Sequence, residues 1–94
     1  MGTETAQEGL VFPFVHLNGT GRDELYRQRE AVWDALESVY AALREMSPNA
    51  RDYYPYPDAS KKMEAAVQQH RDRQRMVQEL QDELELELDH VQNV

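Results

Sequence analysis

Apolar side chains recur at intervals of seven along two long stretches of the chain, and each stretch predicts an amphipathic helix. The first stretch carries a parallel aromatic row one position further on, so its apolar stripe is three positions wide per heptad. That is wider than the seam of a two-stranded coiled coil, so we expect more than one partner helix to cover it. The rows of this stretch are Leu25, Val32, Val39 and Met46, then Leu36 and Leu43, then Tyr26, Trp33 and Tyr40.

The second stretch contains neither proline nor glycine after Pro57, and its apolar rows run to the end of the chain. It predicts a helix over residues 59–92, capped by Asp58 or Ser60. Its seven-residue row is Met63, His70, Val77, Leu84 and Val91, flanked by Ala66, Val67, Leu80 and Leu88.

Local signals place the ends of the first helix at residues 21 and 47. The segment Thr20-Gly21-Arg22-Asp23 has the form of a capping box, with Asp in place of the usual Glu. Ser47 precedes Pro48, and a residue before proline is pushed out of the helical region. The loop 48–58 that follows is rich in proline and tyrosine.

The chain before the first helix divides into two parts. Residues 1–9 are polar and aperiodic, which predicts a flexible N-terminus. Residues 10–17 are rich in β-branched and aromatic side chains, but Pro13 limits them to an edge strand or an extended arm. Asn18-Gly19 then favours a turn, so the arm covers residues 10–19.

These elements predict an all-α fold: a single domain over residues 10–94, built as an antiparallel two-helix hairpin with a short extended N-terminal arm. The second helix is longer than the first by roughly 12 Å. If the chain folds back at the loop, Arg22 lies level with about Leu84. Leu84, Leu86, Leu88 and Val91 would then extend beyond the first helix, and the arm of the same subunit or of a neighbouring one would cover them.

The length of the chain favours association. Ninety-four residues without cysteine bury a thin core and form no disulfide. We therefore expect a homo-oligomeric helical bundle that covers the wide stripe. The residues predicted for its interface are Tyr26, Trp33, Tyr40, Leu84 and Leu88.

Charge and hydropathy exclude several functions. Eighteen acidic residues against ten basic ones give a net charge of −8, which disfavours direct nucleic-acid binding. No apolar run approaches the roughly 20 residues of a membrane span, and no basic signal-peptide region precedes one. We therefore expect a cytosolic protein with neither a membrane nor a nucleic acid as its partner.

Catalytic chemistry is not predicted. His16, His70 and His90 are far apart in the sequence, and no phosphate loop, nucleophile elbow or His-Glu-x-x-His helix is present. His16 and His90 could approach each other beside Glu87 and bind a metal, but solvated or packed histidines are the simpler interpretation. We therefore expect no cofactor, no metal and no enzymatic activity.

Two polar segments are candidates for binding an anionic small molecule. Asn18, Thr20 and Arg22 precede or begin a helix, where backbone N–H groups favour anions. In the loop, Arg51 suits a phosphate and Tyr53 or Tyr54 suits stacking on a base. Ordinary capping and an aromatic-packed loop are the competing interpretations. The two segments lie about 35 Å apart in one hairpin, so only antiparallel neighbours would bring them together.

A third charged feature has two interpretations. The basic band Arg71–Arg75 precedes the acidic segment Glu79–Asp89. Both could be a solvated face. Alternatively, the arginines could face an anionic ligand or the acidic segment of another subunit.

The order His16-Leu17-Asn18-Gly19-Thr20, helix, Arg51-Asp52-Tyr53-Tyr54-Pro55, helix resembles a group of small phage and prophage helical-hairpin proteins over residues 14–90. Ala50 and Tyr56-Pro57 depart from that pattern. The resemblance implies a phage accessory protein in the cytoplasm of the infected bacterial host. One hypothesis is that it counters host defence by sequestering a nucleotide-like ligand or a host protein; the alternative is a virion structural or assembly protein.

Overall fold

The computed structural model describes residues 9–94, which form two long helices and the loop between them. Helix α1 spans Arg22–Glu45, a 3₁₀ turn spans Ala50–Asp52, and helix α2 spans Ala59–Gln92. The two helices pack against each other, and the described residues contain no strand. The all-helical fold and the hairpin are therefore confirmed, and both bounds of the second helix agree with the prediction of 59–92.

Helix α1 begins and ends slightly inside its predicted bounds of 21 and 47. Gly21 is the residue before its first turn and supplies no side-chain cap. The prediction of a capping box at Thr20 was wrong; Asp23 and Glu24 instead place carboxylates near the positive helix N-terminus. At the other end the Ser47 hydroxyl donates to the Arg44 carbonyl at 2.8 Å, and Pro48 prevents continuation.

Contacts between the helices fix their register. The Arg29 guanidinium pairs with Glu87 at 2.6 Å, the Gln81 amide donates to the Glu37 carboxylate at 2.9 Å, and Ser47 lies 3.3 Å from the His70 ring. The residue numbers of each pair add up to between 116 and 118. Leu84 is therefore level with about Trp33, well within the length of α1.

This register corrects the prediction that Arg22 lies level with Leu84. The overhang is at the loop, where α2 extends past the end of α1 from residue 59 to about residue 71. The prediction assumed that the chain folds back at once, but the 3₁₀ turn and three prolines carry the loop alongside the first turns of α2. Leu84 and Leu88 consequently lie opposite α1 instead of beyond it.

The core is small and lies toward the end of the hairpin that holds the arm. Leu25, Leu84 and Val91 are the buried apolar residues of the described chain. The arm contacts this end: the Phe12 ring stacks on His90 with ring centres 4.6 Å apart, and the His90 ring nitrogen lies 3.3 Å from the Pro13 carbonyl oxygen. The arm thus packs on the end of α2 as expected, although not because α1 is too short to reach it.

Most of the wide apolar stripe on α1 consists of two rows, one partly covered by α2 and one exposed. Tyr26, Trp33 and Tyr40 are half-buried, and the Trp33 ring N–H donates to Glu85 of α2 at 3.1 Å. Val32, Val39 and Met46 remain exposed at 46%, 46% and 60%. Association with other copies would have to cover this second row.

Candidate functional site

The loop between the helices is held by backbone hydrogen bonds. The Asn49 side chain accepts from the Arg51 N–H at 3.1 Å, which starts the 3₁₀ turn. The Ala50 carbonyl then accepts from the N–H groups of both Tyr53 and Tyr54 at 3.0 Å. These bonds order the loop and leave the Tyr54 side chain 72% exposed.

A groove of about 860 Å³ lies between this loop and the overhanging turns of α2. Tyr54 borders it on the loop side, and Met63 and Val67 form part of its apolar floor. Lys61 and Arg71 lie at its two ends along the helix, ten residues and therefore about 15 Å apart. The groove combines an aromatic face, apolar surface and two cations, which are the groups that bind a nucleotide, and its lining also contains one carboxylate, Glu64.

The charge around this groove differs from that of the rest of the protein. Six of the ten basic residues lie between positions 51 and 75 with four acidic residues, a local balance of +2 in a chain of net charge −8. Positions 76–94 hold six acidic residues and no basic one. The loop end is therefore the part of the molecule that favours an anion.

The loop residues predicted for binding occupy three different environments. Tyr54 lines the groove. Tyr53 is half-buried, whereas Arg51 is exposed on the 3₁₀ turn and outside the groove lining. Lys61 was not predicted from the sequence. The spacing of Lys61, Glu64, Gln68 and Arg71 by three, four and three residues nevertheless places these polar side chains on one helix face.

The other predicted segment lies at the opposite end of α1. The Gly19 N–H donates to the His16 carbonyl at 3.2 Å and closes a turn over Leu17 and Asn18. Asn18, Thr20 and Arg22 are exposed there, with the Arg22 guanidinium 3.6 Å from the Asp23 carboxylate. The 24 residues of α1 separate this segment from the groove, so one chain does not bring the two segments together.

One surface ion pair in the first turns of α1 shifts the pKa values of its two members. The Arg27 guanidinium hydrogen-bonds the Glu24 carboxylate, and this bond holds the pKa of Glu24 below its ordinary value. Both groups are solvent-exposed, so the pair orders the helix start without forming a binding site.

The residues predicted for an oligomer interface face the chain's own partner helix. Tyr26, Trp33 and Tyr40 are half-buried along α1, Leu84 is buried, and Leu88 is half-buried. Their contact with other copies stays a prediction. The exposed residues Val32, Val39 and Met46 offer more free apolar surface.

The three histidines have separate environments. His16 packs its ring against Gly19, and His90 stacks on Phe12. His70 is buried beside Ser47, and its Nδ1 atom has no hydrogen-bond partner among residues 9–94. The same residues assemble no group of three histidine or carboxylate side chains that could hold a metal ion.

No protein-family model, curated protein or solved structure matches the chain. Within the part of the chain that the structure describes, neither helix has an apolar stretch long enough to cross a membrane.

Proposed function

We propose that the protein is a non-enzymatic binding protein whose groove at the loop end holds a nucleotide-like anion. The observation that carries this proposal is the groove itself, where Tyr54, Lys61 and Arg71 surround apolar surface. Its volume of about 860 Å³ lies within the range of small-molecule sites, between roughly 300 and 1,000 Å³.

The position of the charges suggests how such a ligand would lie. A base stacks on the exposed Tyr54 ring, and phosphate groups reach Lys61 and Arg71. Because these cations are about 15 Å apart along α2, a ligand with two separated phosphates would use both. The planar Arg71 guanidinium can make paired hydrogen bonds to one phosphate, which the Lys61 ammonium cannot.

The resemblance to phage and prophage proteins suggests the setting. In this proposal the protein is a phage accessory protein in the cytoplasm of the infected host. It sequesters a signalling nucleotide, or a host protein that carries one, and so counters host defence. Tight binding without turnover is sufficient for that role.

A thermal-shift screen against linear and cyclic nucleotides tests the groove. A ligand that binds only the folded protein raises the melting temperature. At a ligand concentration one hundred times Kd, it adds about 2.7 kcal/mol to the free energy of unfolding. Lys61→Ala and Arg71→Ala should each remove most of the shift, because each deletes a phosphate contact. Tyr54→Ala should also reduce it.

Neighbouring residues supply matched controls. Lys62 lies over the Tyr56 ring at 5.3 Å and outside the groove, and Arg75 pairs with Asp72 at 3.1 Å. Lys62→Ala and Arg75→Ala should therefore leave the ligand shift intact. If no nucleotide gives a shift, or if the controls lose it equally, the groove is not the binding site.

A virion structural or assembly role is the second candidate. Its supporting observation is the small core: residues 9–94 contain three buried apolar side chains, whereas Val32, Val39 and Met46 stay exposed. Such a chain gains most of its stability from packing in an assembly. Mass spectrometry of purified particles that finds many copies per particle would favour this role, whereas native mass spectrometry that finds a retained nucleotide would favour the first.

A further inference from the structure

One flank of α2, beside its seam with α1, carries a short stripe whose residues are spaced by three, four and three. The outer stripe consists of Arg73, Met76, Leu80 and Glu83. Met76 and Leu80 are 61% and 41% exposed, although both are large apolar side chains. Neither Arg73 nor Glu83 forms an ion pair within the described residues.

The order of this stripe is self-complementary. It reads cation, apolar, apolar, anion, and its centre lies level with Gln78. A second α2 helix placed antiparallel about a two-fold axis at that level sets Arg73 against Glu83 of the partner subunit. The same operation sets Met76 against the partner's Leu80, and each contact occurs twice. A parallel pair would instead place like charges together.

From this pattern we infer that a second copy of the chain docks on the outer stripe, forming an antiparallel α2–α2 interface. The charge order identifies the occupant, because a surface with the reversed order is needed and this chain supplies one. The contact is isologous, so it closes without leaving an open end.

An exposed apolar residue of α1 lies close to the proposed axis. Side chains two residues apart on a helix point in directions about 200° apart. Val39 therefore lies on the opposite flank of α1 from Glu37. In the same way, Leu80 lies on the opposite flank of α2 from Gln78. Glu37 and Gln78 border the same small cleft between the helices. Val39 and Leu80 therefore share the other flank, and the register places them at nearly the same level.

The proposed interface leaves the loop-end groove open. None of the four stripe residues lines the groove. The antiparallel arrangement also places the loop end of one subunit beside the arm end of its partner. The segment Asn18–Arg22 and the tyrosine loop then lie at the same end of the dimer, on different subunits.

A charge-swap pair tests the interface with its register. Arg73→Glu gives a chain with two anionic stripe ends, and Glu83→Arg gives a chain with two cationic ends. Each variant alone repels its own copy, and we expect its dimer Kd to rise about tenfold or more, the equivalent of about 1.4 kcal/mol. An equimolar mixture restores both ion pairs and should return to the wild-type Kd within about threefold.

A less stable helix would not explain a weaker dimer in the Glu83→Arg variant. Glu83 has Glu79 and Glu87 four residues away on either side, so Glu83→Arg replaces two repulsive pairs by attractive ones. Circular dichroism should show that this variant remains at least as helical as the wild type. Leu80→Asp provides a second disruption, because it puts a charge at the apolar centre, and mixing should not rescue it.

The measurement is molar mass by light scattering or sedimentation at micromolar concentration. Wild type and the charge-swap mixture should have at least twice the chain mass of 11.0 kDa, whereas each single variant should dissociate. A larger wild-type assembly that dissociates and recovers in the same way also supports the interface. A monomeric wild type, single variants that stay associated, or a mixture that fails to recover would overturn it.

Discussion

The two ends of the hairpin differ in how they are packed. In the half of the hairpin nearer the arm, Leu25, Leu84 and Val91 are buried, and Phe12 covers His90. At the loop end the buried residue of the seam is His70, whose Nδ1 atom has no partner in the described chain. α2 extends past α1 there and borders an open groove.

This difference in packing gives the two ends different roles: the arm end stabilises the fold, and the loop end is available for binding. Apolar burial contributes about 25 cal/mol per Å², so the arm end supplies most of the folding free energy that the chain obtains by itself. The loop end leaves apolar surface and cations available to a ligand. The same division appears in the charge, since positions 76–94 hold six acidic residues and no lysine or arginine, whereas six of the ten basic residues lie between positions 51 and 75.

The largest expected effect tests whether the arm end holds the fold together. Leu84→Ala removes a 9% exposed side chain from the core and should cost about 3 kcal/mol, enough to unfold much of a small protein. Leu43→Ala makes the same chemical change at a half-buried position nearer the loop and should cost about 1 kcal/mol. Urea denaturation followed by circular dichroism measures both.

Both substitutions delete the same atoms from a helix, so a difference between the two losses cannot come from the change in side-chain size or helix propensity. Equal losses in the two variants would mean that the core extends evenly along the hairpin. A larger loss at Leu43 would reverse the comparison and place the stabilising contacts at the loop end.

The sequence predicts the helices well because their signals are local. α2 contains no proline or glycine, and its seven-residue row from Met63 to Val91 is apolar except at His70, so its bounds at 59 and 92 follow from the proline before it and the end of the row. The end of α1 follows from Pro48 to within two residues.

The register could not be predicted in the same way. It depends on how far the loop travels before α2 meets α1, and the 3₁₀ turn at Ala50–Asp52 has no strong signal in composition. Counting from Pro48 therefore placed Leu84 beyond α1, although the pair of Glu37 with Gln81 places it opposite Trp33.

The groove is a consequence of that register, which is why only part of it was identified. Tyr54 stood out as an aromatic residue in a loop, but Lys61 became significant once α2 was seen to extend past α1. The arm was predicted to cover Leu84, Leu86, Leu88 and Val91 at the end of α2, and it does contact that end. Its target there, His90, was not predicted.

The second expected effect concerns the arm and compares two phenylalanines. Phe12 is 37% exposed and stacks on His90, whereas Phe14 is 85% exposed. Phe12→Ala should open the last turns of α2 and speed amide exchange at residues 88–92 about tenfold, which corresponds to about 1.4 kcal/mol. Phe14→Ala should leave this exchange unchanged, as measured by hydrogen–deuterium exchange with mass spectrometry.

Exchange in residues 63–70 serves as an internal reference, because the arm lies at the other end of the hairpin. If both variants open the end of α2 equally, the arm acts through general apolar cover and the stacking on His90 contributes nothing of its own.

The smallest expected effect is a change in the free energy of unfolding when a histidine is replaced by leucine, and we expect its sign to differ between the two ends of the hairpin. His70 is 6% exposed and leaves Nδ1 without a partner in the described chain, so its polar atom carries a desolvation cost. His70→Leu removes that atom, and Ser47 keeps its bond to the Arg44 carbonyl. The variant should be more stable by about 0.5–1 kcal/mol.

His90→Leu provides the matched control at the arm end. It loses the stacking on Phe12 and the contact with the Pro13 carbonyl, so it should be neutral or less stable than the wild type. Thermal denaturation of both variants measures the two signs. A destabilised His70→Leu protein would mean that the 3.3 Å contact between Ser47 and the His70 ring outweighs the desolvation cost of Nδ1.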